Sequence, residues 1–120
     1  MVIVIPDSEP SEIQLRHVGS NTNPVGTTHK FIAKLLDQNN MPMPNVSING
    51  GIIEGVNHHS FGGTTDANGK CTFSYKGEKA GVDNIEIYWE EPPGHMGPPI
   101  AYLTKTWIAK KKRRTPSKAV

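Results

Sequence analysis

Apolar and polar residues alternate along most of this chain, in short runs that polar turns separate. Successive side chains of a β-strand point to opposite faces, so a period of two predicts strands that each bury one face. No segment keeps the 3.6-residue period of a helix. For the last predicted strand, residues 101–108, the pattern leaves open which face is buried. The alternating runs each put one set of residues on a shared face. These sets are Ile13, Leu15 and His17; Phe31, Ala33 and Leu35, which are predicted to point inward; Cys71, Phe73 and Tyr75; and Ile85, Ile87 and Trp89.

Two turns rich in Asp and Asn divide these runs. One begins at Asp37, and the prolines of residues 42–44 exclude a helix there. The other, residues 66–69, reads Asp-Ala-Asn-Gly and predicts a hairpin. Residues 19–24 and 90–100 are predicted as loops, the second stiffened by prolines. About seven short strands at 8–12-residue spacing therefore predict an all-β fold, an antiparallel β-sandwich.

Composition supports one small domain held together by packing. The chain has 120 residues, with 12 glycines and 10 prolines, which favours many turns and short strands. Cys71 is the single cysteine, so no intrachain disulfide forms. That fits assembly in the reducing cytoplasm, although a module excised from an extracellular protein would look the same. We expect no membrane span, because no 18-residue window is apolar, and no secretory signal, because the apolar start stops at Pro6.

Charge divides the chain into two parts. Of thirteen basic residues, six lie beyond residue 109, and no acidic residue follows Glu91. The remainder carries seven basic and eleven acidic residues, a net charge of about −4. We therefore predict an N-terminal arm over residues 1–11, a sandwich over residues 12–108 and a basic tail over residues 109–120.

Three segments carry a resemblance to a known family. Residues 37–48, 64–73 and 80–85 are similar to the Asp-Ala-Asn-Gly-Asn-Pro-Val-Pro, Thr-Thr-Asp-Ala-Asn-Gly-Lys and Ala-Gly-Thr-Asp patterns of bacterial immunoglobulin-like group 1 (Big_1) domains. These are the repeats of intimin and invasin adhesins and also occur on phage virion proteins. The resemblance implies an immunoglobulin-like β-sandwich that acts as a spacer, adhesive unit or decoration. Asn40 and Asn45 stand where the family prefers Gly, which predicts left-handed backbone at both.

Few residues offer catalytic or metal chemistry. His58 and His59 could bind a metal with His95 or Glu54 only from a loop, because adjacent strand residues point to opposite faces. The turn at Asp66 lacks the further ligands of a calcium loop. We therefore expect no metal site and no cofactor.

Two further candidates favour structural roles. Cys71 alternates with Phe73 and Tyr75, which predicts a core residue rather than a nucleophile. Glu90 and Glu91 could form an acid/base pair, but solvated carboxylates at a loop entrance are the favoured interpretation. We therefore expect no catalytic residue and no enzyme activity.

Two segments are predicted to bind partners. Loops at sandwich ends commonly carry recognition, and prolines lower the entropy lost on binding. The predicted recognition residues are Glu90, Glu91, His95 and Met96. Consecutive cations favour contact with a polyanion, although a solubilising tail would look similar. The predicted docking tail comprises Lys110, Lys111, Lys112, Arg113 and Arg114.

These features predict a non-enzymatic structural protein. Our leading hypothesis is a phage virion protein: a capsid or tail decoration, made in the cytoplasm and displayed on the virion surface, with capsid or tail subunits or a host surface receptor as its protein partner. The alternative is a cell-adhesion or spacer repeat of an intimin-like protein at the bacterial cell surface or outer membrane.

Overall fold

The computed structural model describes residues 9–91 and 95–109, and the side chains of residues 91 and 95–97 lie outside that description. The described residues form eight β-strands and no helix. The strands are β1 (Pro10–Val18), β2 (Thr22–Pro24), β3 (Thr28–Asp37), β4 (Ser47–Glu54), β5 (Ser60–Thr64), β6 (Lys70–Lys76), β7 (Gly81–Glu91) and β8 (His95–Ile108). Within these ranges the chain contains no helix with the length and apolarity needed to span a bilayer.

The strands form two sheets that face each other. The smaller sheet has the order β1-β3-β6, and the larger has the order β2-β8-β7-β4-β5. All described pairings are antiparallel except that of β2 with β8. The predicted all-β antiparallel sandwich is confirmed, with eight strands in place of about seven.

The core lies between the sheets and contains most of the side chains that alternation predicts, together with Ile48, Phe61 and Trp107, which were not predicted. Phe31, Ala33, Leu35, Ile85 and Ile87 are fully buried. For the last strand, the sequence pattern left open which face is buried. In the structure, Ala101, Leu103, Lys105 and Trp107 of β8 face the core. The predicted residues that are only partly buried are Leu15, His17, Cys71 and Trp89.

Aromatic rings join the two sheets at the centre of this core. The ring centroid of Phe31 on β3 lies 5.1 Å from that of Phe61 on β5 and 5.4 Å from that of Phe73 on β6. Such tilted and edge-on pairs add to the free energy of area burial.

The two Asp turns share one geometry. Asp37 Oδ1 accepts hydrogen bonds from the backbone N–H groups two and four residues later, at 2.7 and 2.9 Å, and Asp66 Oδ1 does the same at 2.8 and 3.0 Å. The fourth residue of each turn is left-handed: φ is 61° at Asn40 and 73° at Gly69. Asn45, with φ 58°, is also left-handed, so both predictions at asparagine are confirmed.

Both turns cross between the sheets, so the predicted hairpin at residues 66–69 is wrong. β5 belongs to the larger sheet and β6 to the smaller one. The backbone of Leu35 is hydrogen-bonded to both crossing segments. Its N–H donates to Gly69 O in the second turn at 2.8 Å, and its carbonyl accepts from Met43 N, which follows the first turn, at 3.0 Å. The repeated polar turns thus fix how the sheets connect.

Both predicted loops contain strand residues: residues 22–24 form β2, and residues 90–91 and 95–100 continue β7 and β8, which pair with each other. The strand β5, at residues 60–64, was not predicted. The predicted exposed loop is therefore wrong for most of its length. Pro98 and Pro99 are tolerated because the pairing shifts register after Tyr88. Tyr88 pairs with Ile100 but Trp89 pairs with Gly97, which leaves these two prolines outside the ladder.

Candidate interaction surfaces

A buried carboxylate lies in the core, and every bond it makes is structural. Asp83 is fully buried. Its Oδ1 accepts from the backbone N–H groups of Val56 and Asn57 at 2.9 and 3.0 Å, and its Oδ2 accepts from Asn57 Nδ2 and Tyr75 OH, both at 2.9 Å. Four donors satisfy the carboxylate without exposing it to a substrate. Asp83 therefore anchors the chain between β4 and β5.

The same network reaches two further elements. Trp107 Nε1 on β8 donates to Tyr75 OH at 3.0 Å, and burial raises the pKa of the Tyr75 hydroxyl. The Asn57 amide oxygen accepts from the backbone of Glu78 and Lys79, both at 2.9 Å. One buried cluster thus holds β6, β7, β8 and two connections together.

A pair of histidines lies between β1 and β3. His17 Nδ1 is 2.7 Å from His29 Nε2, and His17 Nε2 is 3.0 Å from the carbonyl oxygen of Thr104. A carbonyl only accepts, so the proton of His17 resides on Nε2, and Nδ1 accepts from His29. Burial, assisted by the nearby charge of Lys105, lowers the pKa of His29 to about 4. Both imidazoles are therefore neutral at pH 7.

Lys105 is a cation at a core-facing position. Its Nζ donates to Ser20 O at 3.2 Å and to Asn23 Oδ1, and it lies 4.9 Å from the centroid of the Trp107 ring. Burial lowers its pKa to about 8. Because Asn23 belongs to β2, Lys105 fastens that short strand to the sandwich.

Of the histidines and cysteine considered from sequence, His59 and Cys71 pack against core side chains, whereas His58 is exposed. His59 stacks against Phe61 and Tyr75, with ring centroids 4.7 and 5.8 Å apart. Within the described ranges, no three side chains of His, Cys, Asp or Glu are grouped to hold a metal. Cys71 is half-buried, and burial followed by the charge of Asp66 raises its thiol pKa, which disfavours the nucleophilic thiolate.

The end of the sandwich where β7 finishes carries the predicted recognition segment and a cavity. Glu90 Oε2 accepts from Asn49 Nδ2 at 2.7 Å, so this carboxylate is held in place. A cavity of about 360 Å³ opens beside it. Its lining includes Pro10, Met43, Val46, Trp89 and Glu90. Apolar walls with one oriented carboxylate define a site that can hold a side chain of another molecule.

The predicted site residues meet different outcomes. Glu90 pairs with Met96 and Glu91 with His95 in the β7–β8 ladder, which places all four in one hairpin. The side chains of the last three, and the tail residues from Lys110 to Arg114, lie outside the described residues. Sequence reasoning missed Met43 as part of this site. A methionine between two prolines, two residues before an asparagine predicted to be left-handed, was the available signal.

The two facing sheets place this chain in the class of immunoglobulin-like β-sandwiches. Three solved structures share the fold at a TM-score of 0.60. The PKD domain of an M14-like peptidase from Thermoplasmatales archaeon SCGC AB-540-F20 is 15% identical, over 84% of this chain and 96% of that one. The D00-D0 domain of intimin is 12% identical, over 88% and 50%. Surface layer protein SbsC, domains 1–6, is 15% identical, over 91% and 14%.

These likenesses establish the fold. The immunoglobulin-like sandwich is confirmed, and the intimin domain is consistent with the resemblance to bacterial immunoglobulin-like domains. No protein-family model and no curated protein matches the sequence, so membership of group 1 stays a prediction. The three neighbours come from a peptidase, from intimin and from a surface layer protein.

Proposed function

We propose that this chain is a non-enzymatic structural and binding module of a surface assembly, which contacts a protein partner through the end of the sandwich where β7 finishes. The observation that carries the proposal is the cavity of about 360 Å³ between Trp89, Met43 and Glu90. Trp and Met are enriched where protein interfaces bury their centres, and buried aromatic anchors supply much of the binding energy.

The chemistry of this end defines the partner. Trp89 and Met43 offer apolar walls, and Glu90 is already oriented by its bond from Asn49. A protein segment that inserts an apolar side chain and places a Lys or Arg beside Glu90 would satisfy both. The hairpin residues beyond Glu90 extend the same contact, in keeping with the predicted recognition role of Glu91, His95 and Met96.

The leading form of this function is a phage virion decoration on a capsid or tail. A sandwich that folds without a disulfide, with its one thiol half-buried, suits a protein made and assembled in the cytoplasm. The predicted docking tail, Lys110 to Arg114, would add a contact with an acidic surface. Deleting residues 109–120 and measuring attachment to purified particles across salt concentrations tests that role, and attachment that stays unchanged would remove it.

A second form is an adhesion or spacer module at a bacterial cell surface. Its support is the likeness to intimin D00-D0 and to surface layer protein SbsC. Fractionation of the source separates the two forms: mass spectrometry would find the chain in purified virions in the first case and among envelope proteins cleaved by external protease in the second.

Site-specific photocrosslinking tests the proposed contact in either setting. A photoreactive residue replaces Glu90, and a matched control replaces Lys79, an exposed residue of the connection before β7. β7 spans eleven residues, so the two probes lie at opposite ends of the sandwich, roughly 35 Å apart. We expect a crosslink to a neighbouring subunit from position 90 and little from position 79. Equal crosslinking from both positions, or crosslinking from position 79 alone, would refute the assigned end.

A further inference from the structure

The outer face of the smaller sheet carries most of the positive charge of the sandwich. Of the seven basic residues before residue 109, five point outward from this one sheet. They are Arg16 on β1, Lys30 and Lys34 on β3, and Lys70 and Lys76 on β6. The rest of the sandwich is acidic, so this basic face is a local feature rather than a consequence of overall charge.

The cations of the basic face are placed where they repel one another. Lys34 and Lys70 are direct cross-strand partners, and Arg16 lies beside them across β3. Like charges directly opposite in a sheet are destabilising. Within the described residues no carboxylate forms an ion pair with any of the five. Asp66 accepts a hydrogen bond from the Lys70 backbone N–H at 3.0 Å, and it acts on the Lys70 ammonium group as a nearby charge. An external anion would remove this repulsion.

A cavity lies at the centre of the cation group. It has a volume of about 210 Å³ and is lined by Gln14, Arg16, Ile32, Lys34 and Lys70. The Gln14 amide already donates to the Glu12 carboxylate at 3.4 Å, so one acidic residue lies at the margin of this face. The three cations around the shallow concavity can hold one acidic group by charge-assisted hydrogen bonds.

The outward side chains of β6 show how a longer ligand would lie. They run Lys70, Thr72, Ser74, Lys76, so two hydroxyls separate two cations along roughly 20 Å of strand. Lys30 lies opposite Ser74, which completes a second cationic group with Lys76. The spacing matches a polymer in which acidic groups alternate with neutral, hydroxyl-bearing units.

We propose that the basic face binds a single extended chain of an acidic polysaccharide, with its acidic groups at the two cationic positions and its hydroxyls at Thr72 and Ser74. The face is about three strands, or roughly 10 Å, wide. Modules that bind duplex nucleic acid bury roughly 600–1,000 Å² or more, which exceeds a stripe of this width and length. The inference concerns a different surface from the proposed protein contact and does not rest on it.

Two other occupants fit less well. Single-stranded nucleic acid is held by exposed aromatic rings, and the described outward residues of β1, β3 and β6 include none. A membrane surface would be bound more firmly with apolar side chains to insert, and the exposed large apolar residue of this face is Val18 at its margin.

Binding of a heparin octasaccharide to the full chain, measured by fluorescence anisotropy, tests the proposal. The tail also carries cations, so the measurements use a background in which residues 110–114 are all glutamine. In that background we compare the R16Q/K34Q/K70Q variant with a K79Q control, which removes one exposed charge outside the basic face. Denaturant midpoints show that each variant is folded.

The expected result is at least a tenfold loss of affinity in the triple variant and less than a twofold loss in K79Q. Three lost charge contacts also predict a salt dependence, d log K/d log[salt], that is shallower by on the order of 2. Unchanged affinity in the folded triple variant would overturn the role of the basic face. A 20-base-pair DNA duplex or phosphatidylglycerol vesicles bound more tightly than heparin at the same salt would overturn the assignment to a polysaccharide.

Discussion

Removal of one buried hydroxyl should weaken the whole sandwich. Tyr75 OH donates to Asp83 Oδ2 at 2.9 Å and accepts from Trp107 Nε1 at 3.0 Å. In Tyr75→Phe the indole N–H, on a side chain that is 1% exposed, loses its partner, and the buried carboxylate loses one of four donors. An unsatisfied buried group costs about 1–3 kcal/mol, and a hydrogen bond to a charged group contributes about 1.5–3 kcal/mol.

Together these losses predict that Tyr75→Phe lowers the free energy of unfolding by about 3 kcal/mol. That is a large share of the 5–15 kcal/mol typical of a native domain. Urea denaturation followed by tryptophan fluorescence measures the change, and an unchanged m-value shows that the unfolded state is comparable.

Tyr102→Phe is the matched control for this measurement. It removes the same hydroxyl from a side chain that is 63% exposed on β8. We expect its denaturation midpoint to equal that of the unsubstituted protein within error. If Tyr75→Phe shifted the midpoint no more than Tyr102→Phe does, the reasoning that the buried network joins β6, β7 and β8 would be refuted.

The remaining predictions concern pH and the two turns. Because burial holds the pKa of His29 at about 4, below its ordinary value of 6.5, the unfolded chain binds more protons between these values. The free energy of unfolding should therefore be at its full value above pH 6.5 and lower by about 2 kcal/mol at pH 4.5. This fall should be shallower in His29→Gln, whereas a His58→Gln control should show the same fall as the unsubstituted protein. Gly69→Ala should cost more than about 2 kcal/mol, since φ is 73° and a Cβ would lie 2.9 Å from the Leu35 carbonyl oxygen. Asn40→Gly should change stability by less than about 0.5 kcal/mol, because asparagine tolerates the same left-handed conformation. Thermal and denaturant unfolding would measure both turn variants, and a Gly69→Ala protein as stable as Asn40→Gly would contradict the account of the turns.

Alternation predicted the strands in which most residues of one face are apolar. The inward residues of β3 and β7 could be assigned because a period of two fixes every side chain once one is placed. Left-handed backbone at Asn40 and Asn45 was also predictable, because the domains that the sequence resembles prefer Gly at both positions and asparagine tolerates the same conformation. These features depend on local sequence, which is all that a single chain displays.

Pairing over long distances could not be predicted in the same way. β2 is three polar residues that become a strand only because β8 lies beside them. The segment after Trp89 is a strand because the β7–β8 ladder resumes beyond the proline bulge. The burial of Asp83 and Lys105 could not be predicted, because a charged residue at a core-facing position of a strand breaks the alternation of apolar and polar residues. Their partners come from connections distant in sequence.

The proposed end contact shows the same limit. Glu90 and its neighbours were predicted from the proline-rich segment alone. The cavity required Met43 and Trp89 to meet at the end of the sandwich, which depends on the crossing turn and on the register of β4 with β7. Function by contact therefore follows from tertiary placement rather than from a motif.

Cryo-electron microscopy of the native assembly that contains this chain would test its function by contact most directly. We predict density in which the end of the sandwich bearing Trp89, Met43 and Glu90 lies against a neighbouring protein subunit, with a side chain of that subunit in the cavity. An assembly in which this end faces solvent, while the opposite end at Lys79 forms the contact, would contradict it.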